Sequence, residues 1–296
     1  MKVRIFMEIS PAKPAAALFM SGSGSNAERL LSELQKTSAP SWRPVAIVTD
    51  NPQGSRAAEL AKSYSLPLIA LDIREFYRMR GEQKISLATE RGREIREEWT
   101  DELRRLLQPF RPDFGILAGF VPLCNITGDF PCLNVHPGDL TVEKDGRRLL
   151  VGLNTIPVEA AIMSGFPALR SSVIIAQPYS GSGGEMDSGQ IIGLSPNVSI
   201  DLHGLSLDEL REISEKRPRP KPLGGYKDRL EEIAVANQEC LKQNGDWLVF
   251  PPAVSDFAAG RFGEDEAGRL LYKQKNEWLP VKTVIYGDGE PQAVPL

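Results

Sequence analysis

The sequence contains few of the residues on which disulfide-bonded, metal-binding and membrane proteins depend. Among 296 residues there are 3 cysteines, Cys124, Cys132 and Cys240, too few for a disulfide framework and spaced unlike any zinc-binding pattern. The 2 histidines, His136 and His203, exclude a histidine-rich metal site. No apolar run approaches the roughly 18 residues that a membrane-spanning helix needs. We therefore expect no metal site and no membrane span, and we expect free thiols of a reducing cytoplasm.

Neither sign of charge dominates the chain. Its 35 Lys and Arg residues against 39 Asp and Glu residues give a net charge of −4, so we expect no general attraction to nucleic acid or to anionic lipid. The first ten residues carry Lys2, Arg4 and Glu8 and no apolar core, unlike a secretory signal. The composition and length predict a cytoplasmic globular protein with one large domain, or one domain and a small appendage.

Short apolar runs alternate with amphipathic segments over the first two thirds of the chain. The runs predict strands at 2–9, 15–20, 44–48, 66–71, 114–117, 132–135, 172–176 and 190–194. The amphipathic segments predict helices that begin at 25, cover 55–64, include 95–106 and cover 155–164. This alternation predicts an α/β fold with a mostly parallel sheet and right-handed crossovers.

The composition changes after about residue 200. A helix is predicted over 206–216, with a capping box of Ser206 and Glu209, and another over 226–243, stopped by Asn244 and Gly245. The last fifty residues predict a β-rich tail, in which 282–286 returns to the sheet and pairs with 2–9. We thus divide the chain into an α/β domain, 1–200 with its core at about 15–194, and a helical and β-rich extension, 201–296, that packs on this core.

A glycine-serine loop, residues 21–26, lies between the strand at 15–20 and the following helix. Glycines let backbone N–H groups converge, and the helix N-terminus adds roughly half a positive charge, which suits a phosphate or carboxylate. We take Ser23, Gly24, Ser25 and Asn26 as candidate anion-binding residues. Two alternatives stay open: a flexible turn, and a capping box of Ser25 and Glu28 that fills the site and repels an anion.

Two further segments place reactive side chains at strand ends. Asn134 and His136 are two residues apart in a strand and so lie on the same face, where an amide and an imidazole can bind an oxyanion. Asp187 comes just before the strand at 190–194 and can serve as a base or orient a histidine. The alternatives are a packed strand-end histidine and an Asx turn that opens a strand.

The turn after the strand at 114–117 has apolar surroundings. Residues 117–123 can form the wall of a flat ligand or belong to the core.

Together these motifs resemble those of glycinamide ribonucleotide formyltransferases and their relatives. The resemblance covers residues 15–194, about 60% of the chain. It depends on the order of the motifs, which are Ser21-Gly22-x-Gly24-Ser25-Asn26, Pro112-Asp113, Leu117-Ala118-Gly119-Phe120, Asn134-Val135-His136-Pro137 and Asp187-x-Gly189-x-Ile191-Ile192.

The resemblance implies an open sheet of Rossmann type and transfer of a formyl group from 10-formyltetrahydrofolate to an amine, as in purine biosynthesis. It implies a catalytic trio, Asn134, His136 and Asp187, in which the first two stabilise the oxyanion and the carboxylate orients the imidazole. Ser23 to Asn26 would hold the phosphate of a small-molecule amine. The residues that would bracket the pterin are Leu117, Ala118, Gly119, Phe120, Val121, Leu123, Gly184 and Met186. A homodimer is left open.

The chain departs from the family pattern at several positions. Gly138 and Asp139 follow His136-Pro137 where the family usually has Ser-Leu, and Ile174 stands where a second histidine is common. The family's Glu-His pair, which grips a ribose, has no clear counterpart in 226–243. Two other functions therefore remain: a 10-formyltetrahydrofolate hydrolase, and a folate- or nucleotide-binding protein without turnover.

Overall fold

The computed structural model describes residues 2–8, 11–180, 186–222 and 224–296. Its helices are α1 (Ser25–Lys36), α2 (Ala57–Ser63), α3 (Ile73–Met79), α4 (Glu90–Leu107), α5 (Ile156–Met163), α6 (Leu207–Glu215), α7 (Arg229–Leu241) and α8 (Trp247–Ala258). Its strands are β1 (Arg4–Ile5), β2 (Ala15–Phe19), β3 (Arg43–Thr49), β4 (Leu68–Ala70), β5 (Phe114–Leu117), β6 (Cys132–His136), β7 (Glu143–Lys144), β8 (Arg147–Arg148), β9 (Ala168–Leu169), β10 (Ser172–Ala176), β11 (Ile191–Leu194), β12 (Val198–Ser199), β13 (Phe262–Glu264), β14 (Leu270–Gln274), β15 (Glu277–Ile285) and β16 (Gln292–Pro295). In these ranges, no helix combines the length and the apolar character needed to cross a bilayer.

One large sheet organises the described chain. Its strands follow the order β1-β13-β14-β15-β11-β10-β6-β5-β2-β3-β4, and β16 pairs with β15. The strands β4, β3, β2, β5 and β6 are mutually parallel, whereas β10 runs antiparallel to both β6 and β11. The predicted α/β class with an open, mostly parallel sheet is confirmed, and the antiparallel pairs gather on the side of β6 away from β5.

Helices cover both faces of the parallel strands. In β2, Leu18 belongs to one apolar cluster with residues of α1 and α8, and Phe19 belongs to a second cluster with residues of α4. A strand that is buried on both faces has an uninterrupted apolar sequence, which is why Ala15–Phe19 can be recognised from the sequence.

Helix α7 does not end at Asn244 and Gly245 as predicted. The chain continues through a π-helical turn, Lys242–Asp246, into α8, which packs on α1, β10 and β11. A Cβ at Gly245 would lie 2.6 Å from the Ser171 Oγ, so this glycine allows close packing instead of ending a helix. The predicted β-rich tail is therefore wrong for residues 247–258, and β structure begins at β13.

The tail returns to the main sheet, but its partner differs from the prediction. β15 pairs in parallel with β11, where Ile285 lies beside Leu194. β1 pairs with β13, with Arg4 opposite Glu264. The predicted pairing of 2–9 with 282–286 is wrong because β13 and β14 lie between these segments in the sheet. The division of the chain at residue 200 stays a prediction.

Candidate functional site

The carboxyl ends of β2, β5 and β6 meet at a cavity of about 470 Å³. Open α/β sheets bind ligands at this edge, because the loops that follow parallel strands converge there. β2 leads into the glycine-serine loop, β5 into the turn 118–121, and β6 ends at Asn134 and His136. The predicted site residues that line the cavity are Ser23, Gly24, Ser25, Asn26, Ala118, Gly119, Phe120, Val121, Asn134, His136 and Asp187.

Three residues predicted to bracket the pterin lie elsewhere, and a fourth is not described. Leu117 is 3% exposed and belongs to the apolar cluster under α4, because β5 is buried on both faces, and Met186 packs against the same cluster. Leu123 lines a neighbouring cavity of about 430 Å³. Gly184 lies outside the described residues. In the described chain, the turn 118–121 is the part of this predicted set that reaches the main cavity.

Ser21 joins the glycine-serine loop to two neighbouring turns. Its hydroxyl donates a hydrogen bond to the Asp50 Oδ1 over 2.5 Å and accepts one from the Val121 N–H over 2.9 Å. Burial raises the pKa of the Asp50 carboxyl. The loop and the turn 118–121 therefore form one continuous wall of the cavity.

The predicted capping box of Ser25 and Glu28 is wrong. Gly24 is the N-cap of α1, at a φ of +64°, and no side chain caps this helix. A Cβ at Gly24 would lie 2.3 Å from the Met20 Cε, so glycine suits both the backbone angle and the packing. Glu28 instead pairs with Arg56, at 2.9 Å between Oε2 and Nη1. The first turn of α1 thus lines the cavity without a side-chain cap.

Asn26 belongs to a buried network that no pattern in the sequence indicates. Its Nδ2 donates to the Asp246 Oδ2 over 2.9 Å, and its Oδ1 accepts from the Trp247 Nε1 over 3.1 Å. The Asp246 Oδ1 also accepts from the Ser171 Oγ over 2.5 Å. Burial raises the pKa of Asp246 to about 6. An ionisable carboxyl therefore lines the cavity beside the candidate anion-binding loop.

We expect Asp246→Asn to remove a pH-dependent loss of stability. A folded-state pKa of about 6 lies above the usual 3.8, so the folded state binds this proton more tightly, and stability falls as the pH rises from about 4 to about 6. The free energy of unfolding of the variant, relative to wild type, should rise over this window by up to about 3 kcal/mol, and the melting temperature should rise with it. Asp288→Asn, at an exposed aspartate, is the control. A difference in melting temperature between Asp246→Asn and wild type that stays constant from pH 4 to 7 would contradict the prediction.

Helix α7 and the following turn contribute a further wall of the cavity, which was not predicted from the sequence. Glu239 and Lys242 line the cavity and form an ion pair with each other. Val235 and Leu153 also line it and are 53% and 58% exposed. Val235, Glu239 and Lys242 come from α7 and its turn, whereas Leu153 comes from the segment before α5. No local sequence pattern marks the three residues of α7 and its turn, because only the packing of α7 brings them to the cavity.

The structure brings Asn134, His136 and Asp187 together. Asn134 and His136 end β6 on the same face, as expected from their spacing. The Asp187 Oδ2 lies 3.8 Å from the His136 Nδ1. The Asp187 side chain is 25% exposed, whereas that of His136 is 3% exposed.

The contacts of His136 define the roles of its two nitrogens. Nε2 lies 2.7 Å from the carbonyl oxygen of Leu150. Because a carbonyl only accepts, Nε2 carries the proton, and Nδ1 is the nitrogen that faces Asp187. Burial lowers the pKa of His136 and Asp187 opposes this shift. The Nε2 side of the ring is thus packed and hydrogen-bonded, as the packed-histidine alternative expects. The Nδ1 side instead faces the ionisable Asp187.

The site can polarise a carbonyl group and move a proton. Asn134 is partly exposed to the cavity, where its amide can donate a hydrogen bond to a bound oxygen. The His136 and Asp187 pair can hold a proton and release it. In the ranges that the structure describes, no three His, Cys, Asp or Glu side chains are grouped as metal ligands.

Comparison with known proteins gives matches in structure only. No protein-family model and no curated protein sequence matches the chain. A phosphoribosylglycinamide formyltransferase from Coxiella burnetii superposes with a TM-score of 0.60 at 17% identity, over 93% of this chain and 100% of that one. Glycinamide ribonucleotide transformylase 1 from Symbiobacterium toebii gives 0.54 at 19%, over 90% and 97%. The chain has the formyltransferase fold.

A second activity occurs among proteins with this fold. A formyltetrahydrofolate deformylase from Burkholderia mallei superposes with a TM-score of 0.52 at 15% identity, over 89% of this chain and 71% of that one. The formyltransferase fold extends well beyond residues 15–194, because the superpositions span about nine tenths of the chain. The position of the family's second histidine, Ile174, is 0% exposed here and packs with Leu140 and Ile191, so it belongs to the core.

Proposed function

We propose that this protein transfers a formyl group from 10-formyltetrahydrofolate to an amine. The observation that supports it most is the meeting of Asn134, His136 and Asp187 in one cavity with the glycine-serine loop. The fold adds support, because similar structures are named as phosphoribosylglycinamide formyltransferases and as a formyltetrahydrofolate deformylase.

The transfer takes two steps. The lone pair of the amine nitrogen attacks the formyl carbon, and the π electrons of the carbonyl move to its oxygen, which gives a tetrahedral oxyanion. When the carbonyl forms again, the bond between the formyl carbon and N10 breaks. The proton lost by the attacking nitrogen is delivered to N10, so the products are a formamide and tetrahydrofolate.

The side chains divide this work. The Asn134 amide donates a hydrogen bond to the oxyanion. The His136 Nδ1 and the Asp187 carboxylate accept the proton from the amine and pass it on, with a water molecule able to bridge their 3.8 Å separation. The His136 Nε2 donates its hydrogen bond to the carbonyl oxygen of Leu150. The imidazole therefore moves protons instead of acting as the second oxyanion donor expected from the sequence.

The two substrates would occupy different walls of the cavity. The turn 118–121 would contact the pterin of 10-formyltetrahydrofolate, and residues 23–26 with the first turn of α1 would hold an anionic group of the acceptor. Lys242 is a cation on the same cavity. With an acceptor like phosphoribosylglycinamide, the reaction belongs to purine biosynthesis.

An assay with 10-formyltetrahydrofolate tests the proposal. We expect release of tetrahydrofolate that depends on an added amine, with the amine recovered as its formamide. Release without any amine would identify a hydrolase. Saturable binding of the folate without release in the presence of a panel of amines, phosphoribosylglycinamide among them, would identify a binding protein and overturn the proposal.

The anion site has a test of its own. Titration with inorganic phosphate should give saturable shifts of the backbone amide signals of Gly24, Ser25 and Asn26, with a dissociation constant in the millimolar range. The N–H groups and the helix dipole supply the attraction, about 0.3–2 kcal/mol from the dipole. Asp246→Asn should tighten binding at pH 7, because it removes a carboxylate beside the loop. Unchanged signals at tens of millimolar phosphate would indicate an acceptor without a phosphate.

A further inference from the structure

A short hairpin lies beside the His136 and Asp187 pair, and we call residues 143–150 the hairpin arm. Strands β7 and β8 pair antiparallel, with Glu143 opposite Arg148 and Lys144 opposite Arg147. The turn between them is Asp145-Gly146, with φ of +53° and +70°, the angles that a two-residue hairpin of type I′ requires. The arm contacts both members of the pair.

Arg148 holds the turn that carries Asp187. Its guanidinium donates from Nη1 to the carbonyl oxygen of Asp187 and from Nη2 to that of Gly189, the latter over 2.8 Å. The two acceptors are backbone carbonyl groups two residues apart, so the planar guanidinium group spans the turn. Because the contacts are to the backbone, they set the position of Asp187 without neutralising its carboxylate.

The carbonyl oxygen of Leu150, at the end of the arm, holds His136. It accepts the hydrogen bond from the His136 Nε2 over 2.7 Å, and both residues are 3% exposed. This bond selects the tautomer with the proton on Nε2. The ring then presents its Nδ1 to Asp187, at 3.8 Å.

Gly138 leaves the space for this contact. A Cβ at Gly138 would lie 2.6 Å from the carbonyl oxygen of Leu150 and 3.1 Å from the His136 Nε2. A side chain here would push the carbonyl away from the imidazole. The Gly138 departure from the family pattern is thus explained by the arm, which needs the room that a serine side chain would fill.

We propose that the hairpin arm is the positioning element of the His136 and Asp187 pair. Arg148 fixes the position of Asp187. The carbonyl oxygen of Leu150, in the space left by Gly138, fixes the tautomer of His136. The inference deepens the proposed function, on which its catalytic consequences rest. The tautomer and the titration of His136 can be measured without any turnover.

The first experiment reads the tautomer by two-dimensional ¹H–¹⁵N spectra of protein labelled at histidine nitrogen. Only His136 and His203 contribute, and the exposed His203 is an internal reference. Wild type should show His136 as the Nε2–H form. Gly138→Ala should give a mixture of tautomers, whereas Gly128→Ala, where a Cβ meets only the Pro178 Cγ at 3.5 Å, should leave the wild-type pattern. An Nδ1–H form in wild type, or an unchanged tautomer in folded Gly138→Ala, would overturn the role of Leu150.

The second experiment separates the effect of the Arg148 charge from the effect of its two hydrogen bonds to backbone carbonyls. Asp187 and Arg148 are the charged groups that act on His136, and Glu143 lies opposite Arg148 in the hairpin. Arg148→Lys keeps the charge but cannot span two carbonyls, so kcat should fall about 10- to 100-fold with little change in the KM for the amine. Burial is the main cause that lowers the His136 pKa, and the charge of Arg148 adds to it. Arg148→Gln removes this charge, so the acid limb of the profile of kcat/KM against pH should move to higher pH.

Arg147→Gln is the matched control, because Arg147 is exposed on the same hairpin. It should retain the wild-type kcat and pH profile. If wild type transfers formyl groups and Arg148→Lys is equally active, the positioning role of Arg148 is wrong. If wild type does not transfer them, the proposed function fails, whereas a single Nε2–H tautomer that Gly138→Ala disrupts would still support the role of the arm.

Discussion

His136→Gln should lower kcat by about 10²- to 10⁴-fold and leave the melting temperature within a few degrees of wild type. A glutamine amide can place a nitrogen near the His136 Nε2 and keep the hydrogen bond to Leu150, which spans 2.7 Å in wild type. It cannot take up a proton near neutral pH, so proton transfer opposite Asp187 is lost. Steady-state kinetics and calorimetry on the same preparation measure the two effects.

Two further variants make this result decisive. His136→Ala removes the donor to a buried carbonyl, so it should also destabilise the protein, by about 1–3 kcal/mol from the unpaired group and more from the cavity. His203→Gln changes the exposed histidine and should match wild type in both measurements. Activity of His136→Gln within threefold of wild type would show that the imidazole has a structural role only.

Asn134→Ala should lower kcat by about 10²- to 10³-fold, the usual loss when one oxyanion donor is removed. Asn134→Asp should be worse still, because a carboxylate of the same shape repels the developing negative charge. The KM for 10-formyltetrahydrofolate should change little, since the hydrogen bond strengthens in the transition state. Asn197→Ala removes an exposed amide whose partner is Arg170 and serves as the control.

The alternative result would assign Asn134 another role. If Asn134→Ala raises the KM and leaves kcat unchanged, its amide contributes to substrate binding only. If the melting temperature falls together with kcat, the amide supports the end of β6, and the oxyanion would need a different donor.

Local sequence patterns predicted the strands that place the site. The strands β5 and β10 match their predicted ranges, 114–117 and 172–176. They are short, apolar and bounded by turn residues, so the pattern depends little on distant contacts. The convergence of residues 23–26, Asn134 and His136 also followed from the sequence, because parallel strands end at one edge of the sheet.

Patterns that involve polar side chains gave mixed results. The predicted capping box of Ser206 and Glu209 is present at the start of α6, but two other patterns failed. Ser25 and Glu28 have the spacing of a capping box, but Glu28 forms an ion pair with Arg56, which lies in a different part of the chain. Asn244 and Gly245 have the composition of a helix end, but Ser171 packs against the glycine and the chain continues as helix. In both cases a tertiary contact outweighs a local preference of about 1 kcal/mol.

The sequence by itself determined the strands that lead into the site, the order of the motifs and the edge of the sheet at which they meet, because these depend on apolar periodicity and chain connectivity. Only the tertiary structure decided what surrounds the reactive groups. Asp246 contacts Asn26, Arg148 contacts Asp187 and the carbonyl of Leu150 contacts His136 only because the fold brings distant segments together, and a backbone carbonyl has no signature in the sequence. The protonation of His136 follows from burial and from these partners, so it could not be derived before the fold was known.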